Sequence, residues 1–413
     1  MLTESLAGLA GDTPSYSFSP AMTSKQLGAG MALSALALML IMLTGCTPAP
    51  SPTSIPATAL LAPTPSSEIR VEPGHILTPT PLPTPVIATA TPVQTKNIEP
   101  VFSQLTTGGC CVQPFFSPDA TRVLYLDKPS PGATTGLWSV PVSQPLAPPE
   151  LFSTRVGPFS ADMAYNVFLQ NGRTTVERTK DAKQWVIDNG GRRVMFSPDE
   201  ASISWMVSED AGNFDIRRSD IWLAGIDGSA PRQVATLYGG GIQAWLSDSN
   251  HMLVSGKAKR DDVTSTLSLL SLTDGSQRKL IDAERPRSIA LSPGDRYIAY
   301  YISQARDEKQ DGMFILDLTL TSPQPQRIDF FGAYHWCSPT KLYYIPLKLA
   351  ASANELWRYD VTTGQSTQVI TADALSPFKV GNGDWDVSAN GRQIVYLNGR
   401  DHNIWLVTLP DAC

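Results

Sequence analysis

A short motif recurs along the carboxyl-terminal part of the sequence and constrains the fold more than any other feature. Each copy has an apolar residue, a serine, often a proline, and then a run rich in β-forming residues. The serine is found at Ser117, Ser160, Ser197, Ser247, Ser292, Ser338 and Ser388. Successive serines are 43, 37, 50, 45, 46 and 50 residues apart. A regular period of this length indicates stacked copies of one supersecondary unit.

Each copy before the seventh offers four strands. The residue before the serine is apolar in all copies, and apolar and aromatic residues follow the serine at the sixth and eighth positions, which share one face of a strand. A third strand is indicated by an apolar residue followed by an aromatic one, as in Ile221-Trp222 and Ile404-Trp405. Asp-Gly pairs such as Asp227-Gly228 favour a hairpin into a fourth strand. The sequence therefore predicts an all-β, seven-bladed β-propeller of four-stranded antiparallel blades over residues 100–413.

The seventh copy is one strand short, because its third strand ends near Leu409 and the sequence stops at Cys413. A missing strand would leave an exposed edge. The segment Asn97 to Leu105 is β-capable and precedes the first copy, so we predict that it completes the seventh blade.

The regularly placed aromatic residues and the Ser-Pro-Asp turns could be read either as structural residues or as parts of an active site. Packing between blades is the ordinary role of such aromatics in a propeller. A turn in which Ser or Asp bonds its own backbone is the ordinary role of Ser-Pro-Asp. We therefore assign neither set to an active site.

The amino-terminal region is typical of an export signal. Lys25 precedes an apolar run from Leu27 to Met42, which at 16 residues is short for a membrane-spanning helix of ~20 residues. We expect residues 1–45 to be a signal peptide, with translation starting at Met22 and residues 1–21 not translated. An uncleaved anchor helix is the alternative.

The residues that end the run, Leu43-Thr44-Gly45-Cys46, resemble the lipobox of bacterial lipoproteins. That resemblance implies that Cys46 carries a diacylglyceryl group and becomes the mature amino terminus. Two or more acyl chains anchor a protein stably, whereas one does not. We therefore expect an exported lipoprotein, held by lipid on the outer face of the cell membrane or on the outer membrane.

Residues 46–99 are dominated by Pro, Thr, Ser and Ala and show no apolar period. Such a segment cannot bury a core, so we predict a disordered Pro/Thr-rich linker. Proline would hold it extended at ~3.1 Å per residue, which gives a reach on the order of 100 Å.

The repeats resemble those of the TolB-like propellers. The resemblance rests on Phe116-Ser117-Pro118-Asp119, Phe196-Ser197-Pro198-Asp199 and the run from Ser292 to Tyr300, and it covers residues 100–413. Similar repeats occur in the propellers of prolyl oligopeptidase and dipeptidyl peptidase IV relatives. The resemblance implies the fold but not a function, since this repeat serves many functions.

Composition and motifs favour binding over catalysis. The formal net charge is −6, which argues against a nucleic-acid partner. The sequence lacks a Gly-x-Ser-x-Gly elbow, a Walker A loop, a Cys-x-x-Cys pair and a His-Glu-x-x-His motif. We therefore name no catalytic residue, cofactor or metal ligand. We expect a non-catalytic module that binds or scaffolds a protein, peptide or glycan.

Residues that open the first strand of each blade line the central funnel of a propeller. The repeat register places Arg192, Arg193, Arg287, His335, Asp384 and Trp385 there. They are the candidate ligand-binding residues, and the arginines could engage a carboxylate or phosphate. Solvated rim residues are the alternative. A propeller enzyme, a lyase or glycoside-acting hydrolase with funnel carboxylates such as Asp384 and Asp386, is the alternative function.

Four cysteines remain beside Cys46, and an exported protein permits disulfides. Cys337 occupies the apolar position before a repeat serine, so we expect a buried free thiol. Cys110 and Cys413 should lie at opposite ends of the closing strand, which excludes a bridge between them.

Overall fold

A computed structural model describes residues 99–413, except for residues 211, 284, 304–310, 349–350 and 374–375. Within these residues the chain is all-β, with 26 strands and one short 3-10 helix, Phe214–Ile216. Every strand pairing is antiparallel, and the strands group into units of consecutive strands that follow the sequence repeat. Among the described residues there is no helix long and apolar enough to span a membrane. Cys46, the predicted signal peptide and the predicted linker up to residue 98 lie outside the described residues.

The first two units differ in regularity. Unit 1 is a four-stranded sheet of β2 (Val112–Phe116), β3 (Arg122–Asp127), β4 (Gly136–Pro141) and β5 (Glu150–Ser153). Unit 2 is a three-stranded sheet of β6 (Tyr165–Gln170), β7 (Arg173–Arg178) and β8 (Lys183–Ile187). Its innermost segment pairs with β6 through one isolated bridge, Phe159 to Asn166.

Units 3 and 4 share one long strand and so form one seven-stranded sheet. Unit 3 contains β9 (Met195–Phe196), β10 (Ser202–Ser208), β11 (Arg218–Gly225) and the first half of β12 (Arg232–Trp245). Unit 4 contains the second half of β12 with β13 (His251–Lys257), β14 (Thr266–Ser271) and β15 (Gln277–Asp282).

The centre of β12 contains Gly239, Gly240 and Gly241, which lie inside the continuous strand. A Cβ on Gly240 would lie 1.9 Å from the Ser255 carbonyl oxygen, so the pairing of β12 with β13 needs glycine at this position.

The last three units are four-stranded sheets. Unit 5 contains β16 (Arg287–Leu291), β17 (Tyr297–Ile302), β18 (Gly312–Asp317) and β19 (Gln326–Ile328). Unit 6 contains β20 (Gly332–Trp336), β21 (Lys341–Pro346), β22 (Leu356–Asp360) and β23 (Gln365–Ile370). Unit 7 contains β24 (Val380–Val387), β25 (Gln393–Asn398) and β26 (Ile404–Thr408), with β1 (Val101–Gln104) as its fourth strand.

The predicted closure by the segment before the first copy is confirmed. Strand β1 pairs with β26 in the register Val101 to Thr408 and Gln104 to Trp405. The two ends of the repeat region therefore meet in one sheet, which covers an edge that β26 would otherwise expose.

The apolar core consists of clusters between successive units, because each sheet buries alternate residues on its two faces. The aromatic residues eight positions after the repeat serine are central to these clusters. Tyr125, Trp205, Tyr300 and Tyr396 are all buried. The interpretation of these residues as core is confirmed, while the third-strand tryptophans Trp138, Trp222, Trp357 and Trp405 are half-buried.

The repeat serines build one type of turn. The hydroxyl of Ser197 accepts a 3.0 Å hydrogen bond from the backbone N–H of Ser202 and donates to Asp199. Ser117, Ser160, Ser292 and Ser388 likewise accept from the N–H five residues later, at 2.9–3.0 Å. The interpretation of the repeated serine as a structural turn residue is therefore confirmed.

The expectation of a free thiol at Cys337 is wrong. Cys337 is buried, but its sulfur is bonded to that of Cys413, and Cys110 is bonded to Cys111. Cys337 follows β20 in unit 6, and the chain after β26 brings Cys413 beside it, with the two Cα atoms 5.6 Å apart. The predicted absence of a bridge between Cys110 and Cys413 is confirmed.

Candidate functional site

A cavity of about 660 Å³ lies where the innermost strands of the units converge. Its wall includes residues from every unit and is dominated by aromatic and aliphatic side chains. Six residues of the wall occupy the same place in the repeat, two residues before the serine: Phe115, Met195, Trp245, Ala290, Trp336 and Asp386. One position of the repeat therefore lines the cavity, just as another position of the repeat is buried in the core.

Three titratable side chains are found among the described residues of this wall: Asp295, His335 and Asp386. The carboxylate of Asp295 accepts a hydrogen bond from the backbone N–H of Ser247, which connects the turns of units 4 and 5. The titratable groups of the wall are thus two carboxylates and an imidazole, and the described lining contains no Lys or Arg.

His335 is the one predicted residue that the cavity wall contains. It lies on β20 and is 7% exposed. Its Nδ1 is 3.8 Å from Oδ1 of Asp386, and its ring packs edge-on against Trp385, with centroids 4.3 Å apart. These contacts hold the imidazole at the wall beside a carboxylate.

The two carboxylates of β24 are engaged with the backbone of unit 1. Asp384 Oδ2 accepts from the N–H of Gln113 at 3.2 Å, and Asp386 Oδ2 accepts from the N–H of Phe116 at 3.0 Å. A carboxylate that satisfies a backbone N–H of a neighbouring strand stabilises the packing of the two strands. Asp384 and Asp386 therefore connect the innermost strands of units 7 and 1.

Trp385 lies between these two aspartates and points to the opposite face of β24, since side chains alternate along a strand. It is 1% exposed and packs in the apolar cluster between units 6 and 7. Trp385 is therefore a buried neighbour of His335 and lies outside the described cavity wall.

The predicted arginines lie outside the described wall of the cavity. Arg192 folds back on its own turn, where its Nη1 donates to the Asn189 carbonyl at 2.6 Å. Arg193 is exposed, and Arg287 is exposed at the start of β16. Burial raises the pKa of Tyr301, and the positive charge of Arg287 acts in the opposite direction. The structure thus places Trp385 beside His335 and leaves Asp384 and the arginines outside the described wall.

No protein-family model matches the sequence, and the search of curated protein sequences finds no match. Solved structures do match. The oligogalacturonate lyase of Vibrio parahaemolyticus is 11% identical with a TM-score of 0.51, over 76% of this chain and 98% of that chain. The Swd1 β-propeller domain of Myceliophteria thermophila is 9% identical with a TM-score of 0.45, over 75% of this chain and 99% of that chain.

TolB from Acinetobacter baumannii is 11% identical with a TM-score of 0.37, over 70% of this chain and 79% of that chain. The repeated antiparallel sheets and the similarity to the lyase structure define the class of the protein: the described part of the chain is a β-propeller. The oligogalacturonate lyase is only 11% identical to this chain, so the similarity shows the fold and does not determine the function.

Proposed function

We propose that this protein is an exported lipoprotein whose propeller binds a polypeptide ligand in the central cavity. In this proposal Cys46 carries the lipid, residues 47–99 form the linker, and the seven units form seven blades of a TolB-like ring. The seven copies of the repeat and the pairing of β1 with β26 support a closed ring of seven.

The cavity is the observation on which this function rests. A concave, largely apolar site with a few convergent polar groups is the default place for a ligand. At about 660 Å³ it has room for several amino-acid side chains. The aromatic side chains of Phe115, Trp245 and Trp336 supply rigid apolar surface for such contacts.

The charge of the wall favours a polypeptide over an acidic glycan or a nucleic acid. Its described titratable groups are Asp295, His335 and Asp386, none of which would neutralise a polyanion while His335 is uncharged. Neutral apolar or cationic side chains fit such a wall better. The polar contacts around β24 also favour binding over catalysis, because Asp384 and Asp386 already accept backbone hydrogen bonds.

Selection of binders from a random-peptide display library against the full-length protein would test this function. Ala290→Trp places a large side chain in the cavity wall, so we expect the selected peptides to lose at least about tenfold in affinity, or ~1.4 kcal/mol. Leu169→Ala is the matched control, because Leu169 is 63% exposed and outside the described cavity wall.

Three outcomes would contradict the proposal. Unchanged affinity in folded Ala290→Trp protein would remove the cavity as the site. Loss of affinity in the double variant Arg193→Ala, Arg287→Ala would place the ligand on the arginines instead. Turnover of a bound peptide, or of oligogalacturonate, would favour the alternative of a propeller enzyme.

A further inference from the structure

The junction between units 1 and 2 has a sparse core. Its buried apolar residues are Leu124, Leu137 and Met163, whereas every other junction between successive units has a larger buried cluster. Protein interiors are normally packed as densely as organic crystals. A sparsely filled junction is therefore unusual in this fold.

The backbone of unit 2 explains the sparse packing. The segment from Val156 to Phe159 replaces an innermost strand and pairs with β6 only at Phe159. Gly157 lies against the backbone of Val167, where a Cβ would come within 2.1 Å of the carbonyl oxygen. With one bridge in place of a ladder, this segment presents few side chains to unit 1.

The central cavity extends into this junction. In units 3 to 7 the described lining comes from the innermost strand or its turn. In unit 1 it also includes Leu126 on β3 and Leu137 on β4, which are cross-strand partners on the face towards unit 2. We call the part of the cavity lined by Leu126, Leu137, Val156, Phe159 and Met163 the lateral lobe.

The lateral lobe reaches the protein surface. Val156 lines the cavity and is 39% exposed. The neighbouring Phe152 is exposed on β5, and its ring centroid is 6.2 Å from that of Phe159. A ligand group could therefore enter at Val156 without passing along the central axis.

We propose that the lateral lobe is a pocket for one uncharged aromatic or aliphatic side chain of the ligand. This inference rests on the proposed function and specifies what the ligand must carry. The five residues of the lobe are all apolar, so a charged group would be desolvated there without a partner. Met163 adds a flexible, polarizable side chain that adapts to different apolar shapes and contacts aromatic rings favourably.

A neutral aromatic photoprobe, 3-trifluoromethyl-3-phenyldiazirine, would test the pocket on the full-length protein. Mass spectrometry locates the adducts, so uptake of the probe by lipid or detergent does not obscure the result. We expect adducts at Leu126 and Leu137 in preference to the exposed Leu169. Met163→Trp, which fills the lobe, should reduce labelling of Leu126 and Leu137 at least fivefold, whereas Leu169→Trp should not.

Leu126→Trp is a second variant that fills the lobe, and it keeps the test decisive if Met163→Trp fails to fold. Leu126 is half-buried, so a larger side chain is easier to accommodate there. This variant should reduce labelling of Leu137 to a similar extent. Labelling at Leu137 no stronger than at Leu169 would overturn the pocket. If display-selected peptides bind both filling variants as tightly as wild type, the lobe is not used although the central cavity binds. If no peptide is selected at all, the proposed function itself fails.

Discussion

At the scale of single residues, the repeated serine and the aspartate two positions later stabilise the same turn. In the first and third units the serine hydroxyl donates to the aspartate, at 2.6 Å from Ser117 to Asp119 and 2.5 Å from Ser197 to Asp199. The same hydroxyl accepts a hydrogen bond from a backbone N–H of the strand that follows. A three-residue signature thus fixes the turn between the first two strands of a blade.

These turns make stability depend on pH. The hydroxyl of Ser117 lowers the pKa of Asp119, and that of Ser197 lowers the pKa of Asp199, below the ordinary value of 3.8. A carboxyl whose pKa is lower in the folded state stabilises it above the unfolded pKa, and this stabilisation is lost as pH falls through the folded pKa. The double variant Asp119→Asn, Asp199→Asn keeps the shape of both turns but removes their charge.

We expect the double variant to melt below wild type at pH 7 and the difference in Tm to shrink as pH falls below about 4 towards 2. Differential scanning calorimetry across that range measures it. Asp261→Asn, at an exposed position after β13, should melt like wild type at both ends of the range. A difference in Tm that stayed constant with pH would show that the charge of these turns does not stabilise the fold.

The repeat register predicts most of the cavity wall, because one position of each copy recurs there. The position two before the serine lines the cavity in six of the seven copies, and copy two, which has Pro158 there, is the exception. The predicted arginines precede or begin the first strand of their units, whereas the residues that line the cavity lie at its end. Whether Arg193 and Arg287 contact a ligand stays a prediction.

At the scale of strands, the closing strand is held by its side chains as well as its ladder. Leu105, directly after β1, is 1% exposed and packs with Val123, Tyr125 and Ile404 between units 7 and 1. Its backbone N–H donates to the Ile404 carbonyl at 2.8 Å. The end of β1 therefore contributes to the core of the ring.

Leu105→Ala is expected to lower the free energy of unfolding of the whole domain by about 2–5 kcal/mol, because it leaves a cavity in that core. Val101→Ala, on the same strand but with Val101 59% exposed, is expected to change it by less than about 0.5 kcal/mol. Urea unfolding followed by tryptophan fluorescence measures both. Equal midpoints for the two variants would mean that the closing segment is not part of the cooperative core.

Sequence periodicity predicted the strands well where a copy is regular and poorly where the backbone departs from the pattern. Copies one, five, six and seven form four-stranded sheets as expected. The period could not reveal that β12 runs unbroken through Gly239–Gly241 into the next unit, because glycine serves both turns and close strand contacts. Nor could it reveal the lone bridge at Phe159, since the motif around Ser160 keeps its apolar residue while the ladder is lost.

At the scale of the whole molecule, the disulfide pattern adds to the closure of the ring. The bond between Cys337 and Cys413 joins the chain after β20 in unit 6 to the residues after β26 in unit 7. It spans 76 residues and fastens the carboxyl-terminal strand, against which β1 pairs. Disulfides persist in oxidising compartments, so this bond agrees with the proposed export of the protein.

The proposed anchor determines where this ring operates. A linker of residues 47–99, at ~3.1 Å per residue where polyproline II forms, would let the propeller reach a distance on the order of 100 Å from the membrane. Such reach suits a module that must meet a polypeptide away from its own membrane. It is useful only if the amino terminus is fixed, which two or more acyl chains on Cys46 would accomplish.

Cys46→Ser is therefore expected to shift the protein out of the detergent phase in a detergent phase-partition experiment, or to leave the precursor uncleaved. The wild-type protein should enter that phase with a mature amino terminus at Cys46, as measured by intact-protein mass spectrometry. The double variant Cys337→Ser, Cys413→Ser is the control, because it also replaces cysteine by serine but far from Cys46, without leaving one partner of that disulfide unpaired, and it should stay in the detergent phase. Wild-type protein that is fully processed yet stays in the aqueous phase would rule out the anchor, and with it the purpose assigned to the linker.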